Sequence, residues 1–107
     1  MNSPALLDLK LSAEARSWIE QFLAGGSLKD PVAGLTFGHS SGDPTPRWMV
    51  GAFERSQIPK IEEMLAPHGQ RAHYIADGVE FCFYQFQLLP KLVGKTLHYD
   101  NRRFKVI

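Results

Sequence analysis

The chain of 107 residues contains one cysteine, Cys82. A lone thiol cannot form an internal disulfide or build a cysteine-rich metal site, and nothing here requires an oxidising compartment. A surplus of either charge is also missing: 12 Lys and Arg against 11 Asp and Glu leave a net charge of +1. No strong field therefore steers the protein onto nucleic acid or an anionic membrane. No stretch approaches the roughly 20 apolar residues of a membrane span. The opening residues, MNSPALLDLKLSAEARSW, lack a basic start followed by a long apolar run, so no signal peptide is read there and a cytoplasmic location is the default. Internal repeats, low-complexity tracts and linkers are absent as well. An apolar content of 44% with 21% charged residues then argues for a folded chain, and the length for a single domain over 1–107.

The elements follow from periodicity and punctuation. Residues 1–8 read as a loose arm or a short edge strand, and Leu9 and Leu11 alternate about Lys10. Ser12 stands at an N-cap position, with Glu14 in the first turn to suit the helix dipole. Ala15, Trp18, Ile19, Phe22 and Leu23 recur at helical spacing, and Gly25-Gly26 ends that helix. Val32 to Phe37 and Arg47 to Phe53 read as strands of a hairpin with a long tip, GHSSGDPTP. A second helix is expected over Gln57 to Leu65, capped by Ser56, with a stripe of Ile58, Ile61, Met64 and Leu65. Asp77-Gly78, between Arg71–Ala76 and Val79–Phe83, is a hairpin signal. In the second run Val79, Phe81 and Phe83 face one way, Glu80 and Cys82 the other. Phe86 to Val93 reads as a short helix ended by Gly94, and Thr96–Tyr99 and Arg103–Ile107 as strands about a turn at Asp100-Asn101. Strands and helices mix without strict alternation. The fold class is therefore α+β, a small mixed or antiparallel sheet with two to three short helices.

Three stretches carry a resemblance: Leu9 to Ala15; Ser40-Ser41-Gly42 with Trp48 to Glu54; and Asp77-Gly78-Val79, Leu88 to Leu97 and Phe104-Lys105-Val106. In their order and spacing they resemble the HesB-like, A-type iron–sulfur carriers of cluster assembly. The resemblance implies an HesB-like sheet. The insert Phe53 to Arg71, which holds the second helix, is longer than that family's usual connection. The resemblance also implies three cysteine ligands that this sequence does not show. Ser41 matches the first, the strand ending at Ile107 is where a Cys-Gly-Cys would follow, and Cys82 falls where the family has no ligand. Cluster iron takes thiolate ligands, so no cofactor is expected.

The remaining reactive residue types have bland explanations. His39 beside Ser40 and Ser41, near Asp43, lacks the G-x-S-x-G elbow and reads as a polar turn. His68 follows a helix end, and His73 and His98 lie on strands where they could be cross-strand neighbours. Cys82, opposite Phe81 and Phe83, reads as a structural thiol with room for modest exposure. Lys91, Lys95, Arg102, Arg103 and Lys105 make the tail the most basic part, which reads as a solvated sheet edge, so nucleic acid is not the expected partner. Tyr84 and Phe86 fall outside the alternation and need either a helix to cover or a partner. The expected function is non-catalytic: an HesB-like scaffold that binds a protein partner, a homodimer being one form. Its partner-binding residues would be Ser40, Ser41, Arg47, Tyr84 and Phe86. The alternative is a metal or small-ligand binder using His39, His73 and His98.

Overall fold

Ser12 is where extended chain becomes helix. Its backbone is extended, and its Oγ accepts a hydrogen bond from the Ala15 N–H at 3.1 Å. That satisfies one of the donors a helix start leaves unpaired. Helix α1 (Ala13–Ala24) follows, with Ala15 and Ile19 buried and Gly25 at its C-cap. These features come from a computed structural model, which describes residues 3–39 and 41–107.

Among the described residues eight strands form one mixed sheet: β1 (Ala5–Leu6), β2 (Leu9–Leu11), β3 (Pro31–Gly38), β4 (Arg47–Glu54), β5 (His73–Ala76), β6 (Val79–Cys82), β7 (Lys95–Asp100) and β8 (Arg103–Val106). Their order is β1-β5-β6-β3-β4-β8-β7-β2. The two outermost strands are separated in sequence by Leu7 and Asp8 alone. Seven inter-strand spacings in a flat sheet would span about 34 Å, while two residues reach only about 7 Å. The sheet must therefore curl until its edges meet on residues 5–11. Asp77 seals this seam: its Oδ2 accepts the Leu11 N–H at 3.0 Å, and Arg16 of α1 donates to the Asp77 carbonyl at 2.5 Å.

Alternation divides the sheet into two faces. Inside the curl lie Leu9, Leu11, Ala33, Leu35, Phe81, Phe83, Leu97 and Phe104, packed with Ala15 and Ile19 of α1. The short helix α3 (Leu89–Leu92) adds Leu89 and Leu92 to this core. Outside, Val32, Ala72 and Cys82 form a smaller cluster under helix α2 (Ile58–Leu65), which contributes Ile58, Ile61 and Leu65. The α+β expectation holds in this coarse form, with three parallel pairings, β1–β5, β2–β7 and β3–β6, among antiparallel ones.

Several local expectations are corrected. Ser56 does not cap the second helix: it lies inside a 3-10 turn, Arg55–Gln57, that leads into α2, and that turn is opened by Glu54, whose carboxylate forms a capping box with Gln57. The same Glu54 carboxylate also accepts from the Lys29 and Asp30 N–H groups, so strand β4 sets the start of the helix. Met64 is exposed because α2 lies on a sheet that needs only Ile58, Ile61 and Leu65 to cover it. The segment Phe86 to Val93 divides into a 3-10 turn, Phe86–Leu88, and α3, with Pro90 in the first helical turn where its missing N–H is harmless. The last hairpin turns at Asn101 and Arg102, both at positive φ, one residue later than expected.

Candidate functional site

The richest polar cluster lies on the outer face, where α2 meets β5 and β6. Arg55 stands in the turn before α2, Glu80 on β6 and His73 on β5. Arg55 grips Glu80 with both Nη atoms, one at 2.7 Å, and donates through Nε to Asp30 at 2.8 Å. Glu80 also contacts His73 Nε2. One turn along α2, Glu62 accepts from Arg71 at 3.0 and 2.9 Å and from the Ala72 N–H at 2.6 Å. Arg71 donates onward to the Ser3 carbonyl at 2.6 Å. A cleft of about 540 Å³ opens here between Pro59, Glu63, Ala66 and His73.

These contacts act as clasps. The Arg55 guanidinium, with help from His73, holds the Glu80 carboxyl below the usual carboxylate range. Burial works to raise Glu62, but Arg71 and the Ala72 N–H outweigh it and leave it lowered too. The carboxylates at the heart of the cluster already have cation partners, so none is poised for proton transfer. A depressed folded-state pKa adds stability above the unfolded value and loses it as pH falls through the folded value. Denaturant midpoints should therefore drop as pH falls below about 4. Glu80→Gln should flatten that drop, and an acid limb identical to the wild type would contradict the clasp.

Cys82 is fully buried beneath α2, which corrects the expectation of modest exposure. It faces away from Phe81 and Phe83 as alternation requires, but α2 covers that face. Burial, with a smaller contribution from the Glu62 carboxylate, pushes its thiol up to about 11. A thiol reagent at about pH 8 should leave the native protein unlabelled and modify it fully in denaturant. Native labelling at the denatured rate would overturn this.

The histidines do not converge. His39 is exposed at the end of β3, His73 lies on β5 and His98 on β7. β6, β3, β4 and β8 stand between β5 and β7, so His73 and His98 are not cross-strand neighbours. Among the described residues no three of His, Cys, Asp and Glu gather where they could hold a metal.

Of the expected partner-binding residues, Ser40 lies outside the described residues, and Ser41 is exposed in the β3–β4 turn. Arg47 forms an ion pair with Asp43 across the base of that loop. Gln85 Oε1 accepts the Phe37 N–H at 3.3 Å, which ties the segment Tyr84–Phe86 to the end of β3, just before the loop. Tyr84 is 54% exposed, while Phe86 is half-buried and stacks on His68 at 5.5 Å. Phe86 also forms part of the wall of a second concavity, a groove of about 610 Å³ between the N-terminal segment and α3. Leu6, Leu7, Tyr74, Leu89, Pro90 and Val93 complete its apolar surface. Leu6 is 86% and Val93 53% exposed.

Sequence reasoning missed Leu6 and Val93. Leu6 ends the two-residue β1 and Val93 follows the four-residue α3, where neither a helical nor a strand period runs long enough to expose a mismatch. Among the described residues no helix is long and apolar enough to cross a membrane. Comparison with protein-family models, curated protein sequences and solved structures finds no match.

Proposed function

We propose that this domain is a non-catalytic, HesB-like scaffold that acts by binding a protein partner and carries no cluster. The observation that carries the proposal is the apolar rim of the groove: Leu6 at 86% exposure faces solvent beside half-exposed Val93. Large apolar side chains clustered at a concave surface are retained against their solvation cost where a partner covers them. Phe86 in the same wall and Tyr84 two residues before it extend that surface toward the β3–β4 loop.

The scaffold assignment is supported by topology. β4 runs antiparallel to β8 with Trp48 opposite Phe104, so the loop holding Ser41 and the end of β8 share one end of the sheet. That is the juxtaposition a carrier of this type would need for ligands from both places. Ser41 in that loop, with Cys82 sealed under α2, supports a role without a cluster.

The test is photocrosslinking in the native host from a benzophenone amino acid placed at position 93. One protein should be captured, should bind the purified domain at a defined stoichiometry, and should be lost with the Leu6→Asp/Val93→Asp double variant. A monodisperse monomer with no such species would sink the proposal. Stoichiometric iron or zinc in untagged protein would instead favour the histidine-based alternative.

A further inference from the structure

Resting on the partner-binding role just proposed, we infer that the groove receives an extended, apolar segment of the partner by strand addition at Leu6. The first observation concerns the backbone. β1 pairs with β5 in parallel, Ala5 opposite Tyr74 and Leu6 opposite Ile75, and the Leu7 N–H donates to the Ile75 carbonyl at 2.9 Å. In a parallel ladder a residue bonds the two neighbours of the residue opposite it. Ile75 is therefore served by Ala5 and Leu7, and the N–H and C=O of Leu6 point away from β5.

On that other side the natural neighbour is β7, which runs along β2. The ladder reaches only as far as Gly94, whose N–H donates to the Asp8 carbonyl at 2.7 Å. Gly94 has φ +77, and here the chain arrives from α3 and not from a longer strand. Beside Leu6, where one more strand position would lie, the described residues provide no strand. Leu6 and Val93 both line the groove. A sheet edge left open beside an apolar groove is the arrangement used for β-augmentation: main-chain bonds give affinity, and pockets take alternate side chains.

The occupant follows from the same chemistry. A helix laid in the groove satisfies its own backbone and leaves Leu6 unmet, whereas an extended segment supplies both a donor and an acceptor. Side chains turned into the groove meet Leu89, Val93, Phe86 and Tyr74, so they are apolar. The Tyr74 hydroxyl, and Gln70 and Gln87 at the margin, can take one polar group from the incoming chain. The shortness of β1, two residues, explains why the edge does not pair indiscriminately: only a segment that also fills the groove gains enough.

Linear dodecapeptides displayed on phage and selected on the full chain supply the probe. Selected peptides should carry apolar residues at alternate positions. Val93→Asp should weaken their binding about tenfold or more in fluorescence anisotropy. Because Val93 is exposed, the variant should keep the wild-type melting temperature. The decisive reading needs no mutation: peptide saturation should slow hydrogen exchange of the Leu6 amide by about tenfold or more. Groove-dependent peptides that leave Leu6 exchange unchanged would overturn strand addition, and so would a selection that yields none. Capture of a partner from position 93 without Leu6 protection would leave the broader role standing while this inference falls. Loss of both would remove the role itself.

Discussion

Phe81→Ala is expected to destabilise the protein by about 3–5 kcal/mol, a large share of the total stability of a domain this size. Phe81 is fully buried at the centre of the curl, opposite Tyr74 on β5 and Ala33 on β3. Its ring stacks on Phe83 at 5.8 Å. Removal of the ring takes away its transfer free energy and leaves a cavity that strands on both sides, held by their ladders, cannot collapse to fill. Urea denaturation monitored by tryptophan fluorescence gives the value, read from the midpoint at constant slope. A cost under about 1 kcal/mol would mean that the interior described here is wrong.

Gly34→Val should cost about 3 kcal/mol or more, for the opposite reason. Gly34 lies on β3 between Gly51 and Cys82, on the outer face. The Phe53 ring lies across it so closely that a Cβ at position 34 would overlap the ring edge, and that Cβ would also stand 3.2 Å from the Cys82 carbonyl oxygen. The strand tolerates a glycine here, despite its weak strand propensity, because an aromatic ring fills the missing side-chain space. The coupling is testable. Phe53→Ala should cost stability alone, yet the double variant should be less destabilised than the sum of the two. Strict additivity would show that ring and glycine do not share this space.

Those two residues also show where sequence reading succeeds and stops. Phe81 was legible: Val79, Phe81 and Phe83 alternate against Glu80 and Cys82, and the structure keeps that division. The fate of the second face was not legible. Alternation says that Cys82 points away from the phenylalanines, but only the placement of α2 over β3, β5 and β6 makes that direction a second core. Gly34 reads in sequence as a weak point in a strand, and nothing local announces that Phe53, nineteen positions on, needs its space. The clasp Arg55–Glu80–His73 joins three elements: the Asp77-Gly78 hairpin brings His73 near Glu80, but Arg55 comes from the turn before α2 and no spacing rule links it to either. Ser56 reads as a cap because serine is a common capping residue. The helical path starts earlier, at Glu54, whose carboxylate also serves Lys29 and Asp30 across the β3–β4 hairpin.

By itself the sequence determined what short-range physics can determine. It set the Ser12 cap and the helix after it, the hairpins about Asp77-Gly78 and the Gly38–Pro46 loop, and the inward set of β6. Each of these depends on neighbours within about ten residues, where backbone preference and periodicity act directly. Tertiary structure alone decided that the sheet would curl and close on residues 5–11, that His73 on β5 and His98 on β7 would not be neighbours, and that Leu6 would be left with an open edge beside Val93. These outcomes turn on which strands become neighbours, a choice made by the burial of the whole inner face at once and not by any local stretch of chain.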